Sequence, residues 1–128
     1  MKKVVICASE NFHKEAEEWK SKLENEGFSV IRSIELIEKT AEAYRDTHTD
    51  HYKKITEADI LFVLNLEKKG VKNYIGPSVF AEIAFAIGLN IALGKKTEIY
   101  CLNPLPENIP YSDELELWKK LGWIKFWK

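Results

Sequence analysis

Short apolar runs rich in β-branched residues alternate along this chain with longer segments whose apolar side chains recur every three or four positions. Few architectures accept that alternation. Runs apolar on both faces belong to buried parallel strands, and the helical segments between them must cross over the sheet, so the pattern points to an α/β fold. Five strands are read: Lys3 to Cys7, Phe28 to Ile31, Ile60 to Asn65, Glu98 to Leu102 and Trp123 to Phe126. Right-handed crossovers then favour a three-layer flavodoxin-like or Rossmann-like parallel sheet in the order 2-1-3-4-5.

The connecting segments divide by clarity. Phe12, Ala16, Trp19 and Leu23 keep helical steps over Phe12 to Glu26, and Gly27 supplies a stop. Ser78 to Leu93 is the most apolar helix, carried by Phe80, Ile83, Ala84, Ile87 and Ile91 and ended by Gly94. A helix over Thr49 to Ala58 turns Tyr52, Ile55 and His51 inward, with Thr49 or Asp50 as its N-cap, and Asp59 closes it. A last helix spans Ser112 to Leu121. Ser33 to Thr47 mixes strand-like Ile34, Leu36 and Ile37 with a helical Ala41 to Arg45, and reads as irregular. Repeats, linkers and low-complexity tracts are absent, so residues 1–128 read as a single domain.

Nineteen basic residues against twenty acidic ones leave no net field to attract nucleic acid or an anionic membrane. Polar residues follow the first apolar run by Ser9, which argues against a signal peptide, and no stretch reaches a membrane span. A cytoplasmic location is expected. Cys7 and Cys101 each end a strand-like run and suit reduced core thiols better than a disulfide or metal pair. Trp118, Trp123 and Trp127 crowd the last eleven residues with four lysines, a composition that finishes a core and contributes to a subunit interface.

In open parallel sheets ligands sit beyond the carboxyl ends of the strands, which directs attention to Ala8–Phe12, Asn65–Ser78 and Asn103–Tyr111. The first of these loops has no glycine and Gly70 and Gly76 do not form a dinucleotide fingerprint, so no cofactor is expected. Asp46, His48, Asp50 and His51 are metal-ligand types, yet they have no zinc-site spacing; no metal is expected from them, and no Cys–His pair is read because Cys7 falls inside a strand. His13 reads as a solvated surface residue.

Glu82 is the most informative residue. It is the only charged side chain in the twenty-two residues from Asn73 to Gly94, and it lies in the first two turns of the most apolar helix, at the ligand-facing end. Burial disfavours its charged form, while the helix N-terminus and nearby donors favour it. A dry, ionised carboxylate beside a cleft is a competent nucleophile for an electron-poor sugar carbon. The same position also suits a carboxylate that caps backbone N–H groups or pairs with a lysine. Asp59 is the second acidic candidate, against the simpler reading of a helix-to-strand boundary; two carboxyl groups in different environments supply what glycosidic chemistry needs. Tyr74 suits stacking on a base, and Ser78 suits either helix capping or phosphate binding.

Ala58-Asp59-Ile60-Leu61-Phe62-Val63, then Gly76-Pro77-Ser78-Val79-Phe80-Ala81-Glu82-Ile83-Ala84-Phe85-Ala86, then Gly94-Lys95-Lys96 together resemble the nucleoside 2-deoxyribosyltransferase-like superfamily over essentially the whole chain. The resemblance implies a flavodoxin-like fold and an enzyme that cleaves the N-glycosidic bond of a nucleoside or nucleoside monophosphate, passing the sugar to another base or to water. It implies Glu82 as nucleophile and Asp59 as an active-site aspartate assisting the departing base. Substrate contacts are then expected from Ser9, Asn65, Tyr74, Gly76 and Ser78, with Asn108 a candidate contribution to a neighbouring subunit's site. A small-molecule partner and a homodimer or higher homo-oligomer complete the expectation. The rival reading is a catalytically silent nucleotide-binding or assembly protein on the same fold.

Overall fold

The computed structural model describes residues 1–32 and 38–128. Its strands are β1 (Lys3–Cys7), β2 (Ser29–Ile31), β3 (Ile60–Val63), β4 (Glu98–Cys101) and β5 (Lys125–Phe126), all parallel and ordered β2-β1-β3-β4-β5. The helices are α1 (His13–Asn25), preceded by a 3-10 turn at Glu10–Phe12, α2 (Ala41–Glu57), α3 (Pro77–Leu93) and α4 (Ser112–Lys120). This is the three-layer α/β architecture expected from the alternation.

Side-chain alternation along the central strands divides the core between two faces. Val5, Cys7, Leu61, Val63, Ile99 and Cys101 pack with Ile55 of α2, with Ile83, Ala86 and Ile87 of α3, and with Leu115 and Trp118 of α4. Val4, Ile60, Phe62 and Leu64 point the other way, onto Phe12 and Leu23, with Trp19 and Trp127 against them. The terminal tryptophans therefore finish both faces: Trp118 stacks on Phe80 at 5.0 Å, and Trp127 meets Phe62 edge-on at 5.4 Å. Both cysteines are buried free thiols. Among the described residues no helix is long and apolar enough to cross a membrane.

Register brings Cys7 opposite Val63 and Val63 opposite Cys101, so the three central strands end level and release their loops on one edge. Helix α1 stops where expected. Gly27, at φ +97°, donates its N–H to the Glu24 carbonyl while Phe28 donates to Leu23, the paired bonds of a Schellman termination.

Helix α2 departs most from expectation. It begins at Ala41, with the Thr40 hydroxyl accepting the Ala43 N–H at 3.1 Å, so Thr49 and Asp50 are interior residues and not caps. Residues 41–47, read as irregular, are its first two turns; residues 33–37 of that segment lie outside the described residues. Gly76, not Ser78, occupies the N-cap of α3, with Pro77 in the first turn.

Candidate active site

A cavity of about 630 Å³ opens beyond the carboxyl ends of β1 and β2, walled by α2 and by the first turns of α3. Its size falls within the usual range for small-molecule sites. Ser9, Tyr74, Gly76, Ser78 and Glu82 all line it, so the structure brings together five of the residues singled out from sequence.

Glu82 lies in the second turn of α3 and is only 6% exposed, although one edge of it reaches the cavity. Among the described residues no lysine is paired with it. Instead His51 Nε2 lies 3.3 Å from Glu82 Oε1 and 3.2 Å from Cys7 Sγ. Three elements thus converge on one point: the last residue of β1, the middle of α2 and the second turn of α3. Burial pushes the Cys7 thiol well above its ordinary range, and the neighbouring Glu82 charge and a hydrogen bond to Glu82 push it the same way. The thiol therefore keeps its proton at neutral pH and serves as a donor to the carboxylate. Tyr52, one residue further along α2, is likewise raised, first by burial and then by the Glu82 charge; its ring stacks on Phe85 at 4.9 Å and ties the two helices together.

The rest of the α2 wall is polar and aromatic. Tyr44, Thr47, His48 and His51 line the cavity at helical spacing. The Tyr44 and His48 rings stack at 3.7 Å. His48 Nδ1 donates to the Tyr44 carbonyl at 2.9 Å, since a carbonyl can only accept. Asp46 is paired with Arg45 at the surface, and among the described residues the one metal-capable cluster takes only His51 from this segment. His13, read as merely solvated, lies on the cavity margin.

The loop after β3 carries the opposite wall. Lys68 and Val71 exchange backbone hydrogen bonds of 3.0 Å around Lys69 and Gly70, both at positive φ, which makes a tight reversal of the kind a following glycine favours. The reversal aims Lys68 inward, where its Nζ donates to Ser9 Oγ at 3.1 Å and stands 5.0 Å from the Tyr74 ring. Tyr74 in turn lies against Gly76: a Cβ there would meet the phenol oxygen at 3.0 Å. Glycine at this position is a matter of space for the aromatic ring.

Three sequence-read site residues go elsewhere. Asp59 stands at the amino end of β3, exposed, with Oδ2 accepting the Lys3 N–H at 2.8 Å. Within the chain it and Glu82 sit at opposite ends of the sheet, and its residue type serves the junction between α2 and β3. Asn65 is fully buried and consumed as a clamp: its amide donates to the carbonyls of Asn103 and Pro104 at 3.0 Å and accepts the Asn103 N–H at 3.0 Å. Asn108, at φ +59°, lines a separate hollow of about 460 Å³ with Lys72 and Glu107.

Cys7 and His51 were the partners that sequence reasoning missed. His51 carried a signal, because it lies four residues before buried Ile55 on the same helix face. Cys7 carried none beyond its place at the end of a strand, the edge on which parallel sheets build their sites.

No protein-family model matches the sequence, and no curated protein matches it. Among solved structures, the CMP N-glycosidase BcmB of Clostridium botulinum matches with a TM-score of 0.60 and 17% sequence identity, over 98% of this chain and 88% of that one. At that identity the likeness is one of fold, and it extends over nearly the full described length of the sheet and its helices.

Proposed function

We propose that this protein cleaves the N-glycosidic bond of a nucleoside or nucleoside monophosphate, with Glu82 as the nucleophile. One observation carries the reading: a carboxylate 6% exposed, with no lysine paired to it among the described residues, in the wall of a cavity large enough for a nucleotide. Such a group is dry enough to be reactive and still open on the side where a sugar would lie. The fold shared with a CMP N-glycosidase supports the same reaction class.

In the proposed reaction a Glu82 oxygen attacks C1′ of the pentose as the bond from C1′ to the base nitrogen breaks. The bonding pair leaves with the base, which takes up a proton. Water then attacks C1′, breaking its bond to the Glu82 oxygen and giving up a proton to solvent, and releases the sugar, or a second base attacks in its place, loses its proton likewise and forms a new nucleoside. His51 and the Cys7 thiol hold the carboxylate in one orientation, which lowers the cost of reaching the transition state. Asp59 has no part in this scheme. Lys68 and Ser9, joined at the cavity rim, offer a cation and a hydroxyl to a 5′-phosphate, which favours a nucleotide over a bare nucleoside. Tyr74 beside them offers a stacking face.

The test is incubation with a panel of nucleosides and nucleoside monophosphates while free base is measured, with Glu82→Ala run in parallel. Base release by the parent chain alone is the expected outcome. Release that survives Glu82→Ala removes Glu82 as nucleophile, and a panel with no release supports the silent nucleotide-binding alternative. Adding a second free base separates hydrolysis from transfer.

A further inference from the structure

The cluster beneath the cavity contains one sulfur, one imidazole nitrogen and one carboxylate oxygen. The ligand-capable atoms of Cys7, His51 and Glu82 all lie within 4.8 Å of one another. From these positions we infer that Cys7, His51 and Glu82 bind a single zinc-class divalent cation, and that the bound ion blocks glycosidic cleavage by occupying the nucleophile. The binding half stands on the cluster alone; the inhibitory half rests on the function proposed for Glu82.

The geometry suits that ion. A tetrahedral zinc with ordinary bond lengths separates a sulfur ligand from a nitrogen ligand by roughly 3.5 Å and a nitrogen from an oxygen by roughly 3.3 Å. Here the corresponding gaps are 3.2 Å and 3.3 Å, and all three donor atoms lie within 4.8 Å of one another, so side-chain adjustment within the cluster brings them to tetrahedral spacing. The donors come from the end of β1, the middle of α2 and the second turn of α3, elements whose mutual positions are held by the core, so little ordering cost remains at binding. A thiolate–imidazole–carboxylate set favours zinc or cobalt over magnesium or calcium, which prefer oxygen donors alone. His51 and Glu82 both reach the cavity wall, which leaves a fourth position facing the cavity for water. On binding, the Cys7 thiol yields its proton to solvent as the metal–sulfur bond forms. The Glu82 oxygen that would attack C1′ is then committed to the metal.

The test begins with the metal-free full chain titrated with Co²⁺, following the near-ultraviolet sulfur-to-cobalt charge-transfer band, then displaced with Zn²⁺. The expected result is saturation at one ion per chain. Cys7→Ser abolishes the band, Cys101→Ser retains it, and His51→Gln and Glu82→Gln each weaken binding by about tenfold or more. No saturable band, a band that persists in Cys7→Ser, or affinity unmoved by His51→Gln and Glu82→Gln overturns the site. Circular dichroism monitors folding, and if Cys7→Ser does not fold the two Gln variants decide through affinity. Where base release is found, Zn²⁺ should suppress it with the half-saturation measured in the titration, and a chelator should restore it; full activity at saturating Zn²⁺ overturns the inhibitory half. Failure to find base release on any substrate leaves the titration intact, so failure of the site and failure of the proposed reaction are read separately.

Discussion

Helices α2 and α3 are both seventeen residues long and face each other across the same cavity, yet they are built on opposite plans. In α3 Val79, Ile83, Ala86 and Ile87 are buried and Glu82 is its only charged residue. In α2 Ile55 is the only buried residue, and the face turned to the cavity is made of Tyr44, Thr47, His48 and His51. An apolar helix makes a candidate functional residue stand out by contrast. A polar helix hides its own, because side chains lining a cavity look like side chains lining water.

The largest expected effect belongs to the apolar plan. Glu82→Gln keeps the volume and removes the charge, so base release should fall about a thousandfold or more with folding unchanged, read by steady-state kinetics beside thermal unfolding. A drop of less than tenfold would mean that the contrast drawn from α3 marks a structural carboxylate.

Next comes a comparison within α2. Ile55→Ala removes a fully buried side chain and should cost about 2–5 kcal/mol in urea unfolding. His51→Ala, four residues earlier, should leave stability much closer to the parent while lowering kcat by about tenfold or more, since it acts by holding Glu82. Equal destabilisation by both would make His51 a packing residue of the same kind as Ile55.

The apolar face also sets an alkaline limit. Burial pushes the Cys101 thiol from an ordinary 9.0 up to about 12, and Cys7 moves in the same direction. The unfolded chain loses these protons first and binds fewer of them above that ordinary value, so the folded state loses its advantage as pH rises from about 9 toward about 12. From Cys101 alone, a loss on the order of 2 kcal/mol is expected between about pH 9 and 10.5, seen as a lower urea midpoint. An unchanged midpoint would place these thiols in contact with water.

Smaller effects test the ends of the two elements. Thr40→Ala removes the cap of α2 and should cost about 1 kcal/mol, read by thermal unfolding. Asp59→Asn should leave base release within about twofold of the parent, because its carboxylate holds the Lys3 N–H at the far edge of the sheet. A large loss of activity there would return Asp59 to the site.

The sequence was legible wherever burial wrote it. Strand order, the α1 stop at Gly27 and the apolar run of α3 all follow from side chains chosen to leave water, and Glu82 stood out because nothing around it was charged. It was illegible where a residue type serves two purposes. Asp59 looks the same as a catalytic acid and as a junction residue, and only the direction of β3 shows at which end of the sheet it lies. Asn65 looks the same as a substrate contact and as a loop clamp. Thr40 opens α2 ahead of two turns with no buried apolar residue, so hydrophobic periodicity had nothing to count there. The meeting of Cys7 with His51 joins residues 44 positions apart and depends on the crossover that lays α2 over β1.

The most direct measurement of the central claim is covalent trapping. A 2′-fluorinated nucleotide substrate, whose electron-poor sugar slows breakdown of a glycosyl-enzyme, is incubated with the full chain and the protein is analysed by intact mass and peptide mapping. A single glycosyl adduct on Glu82, absent from Glu82→Gln, is the predicted result. An adduct on any other residue would contradict the account, as would base release at the parent rate from Glu82→Gln.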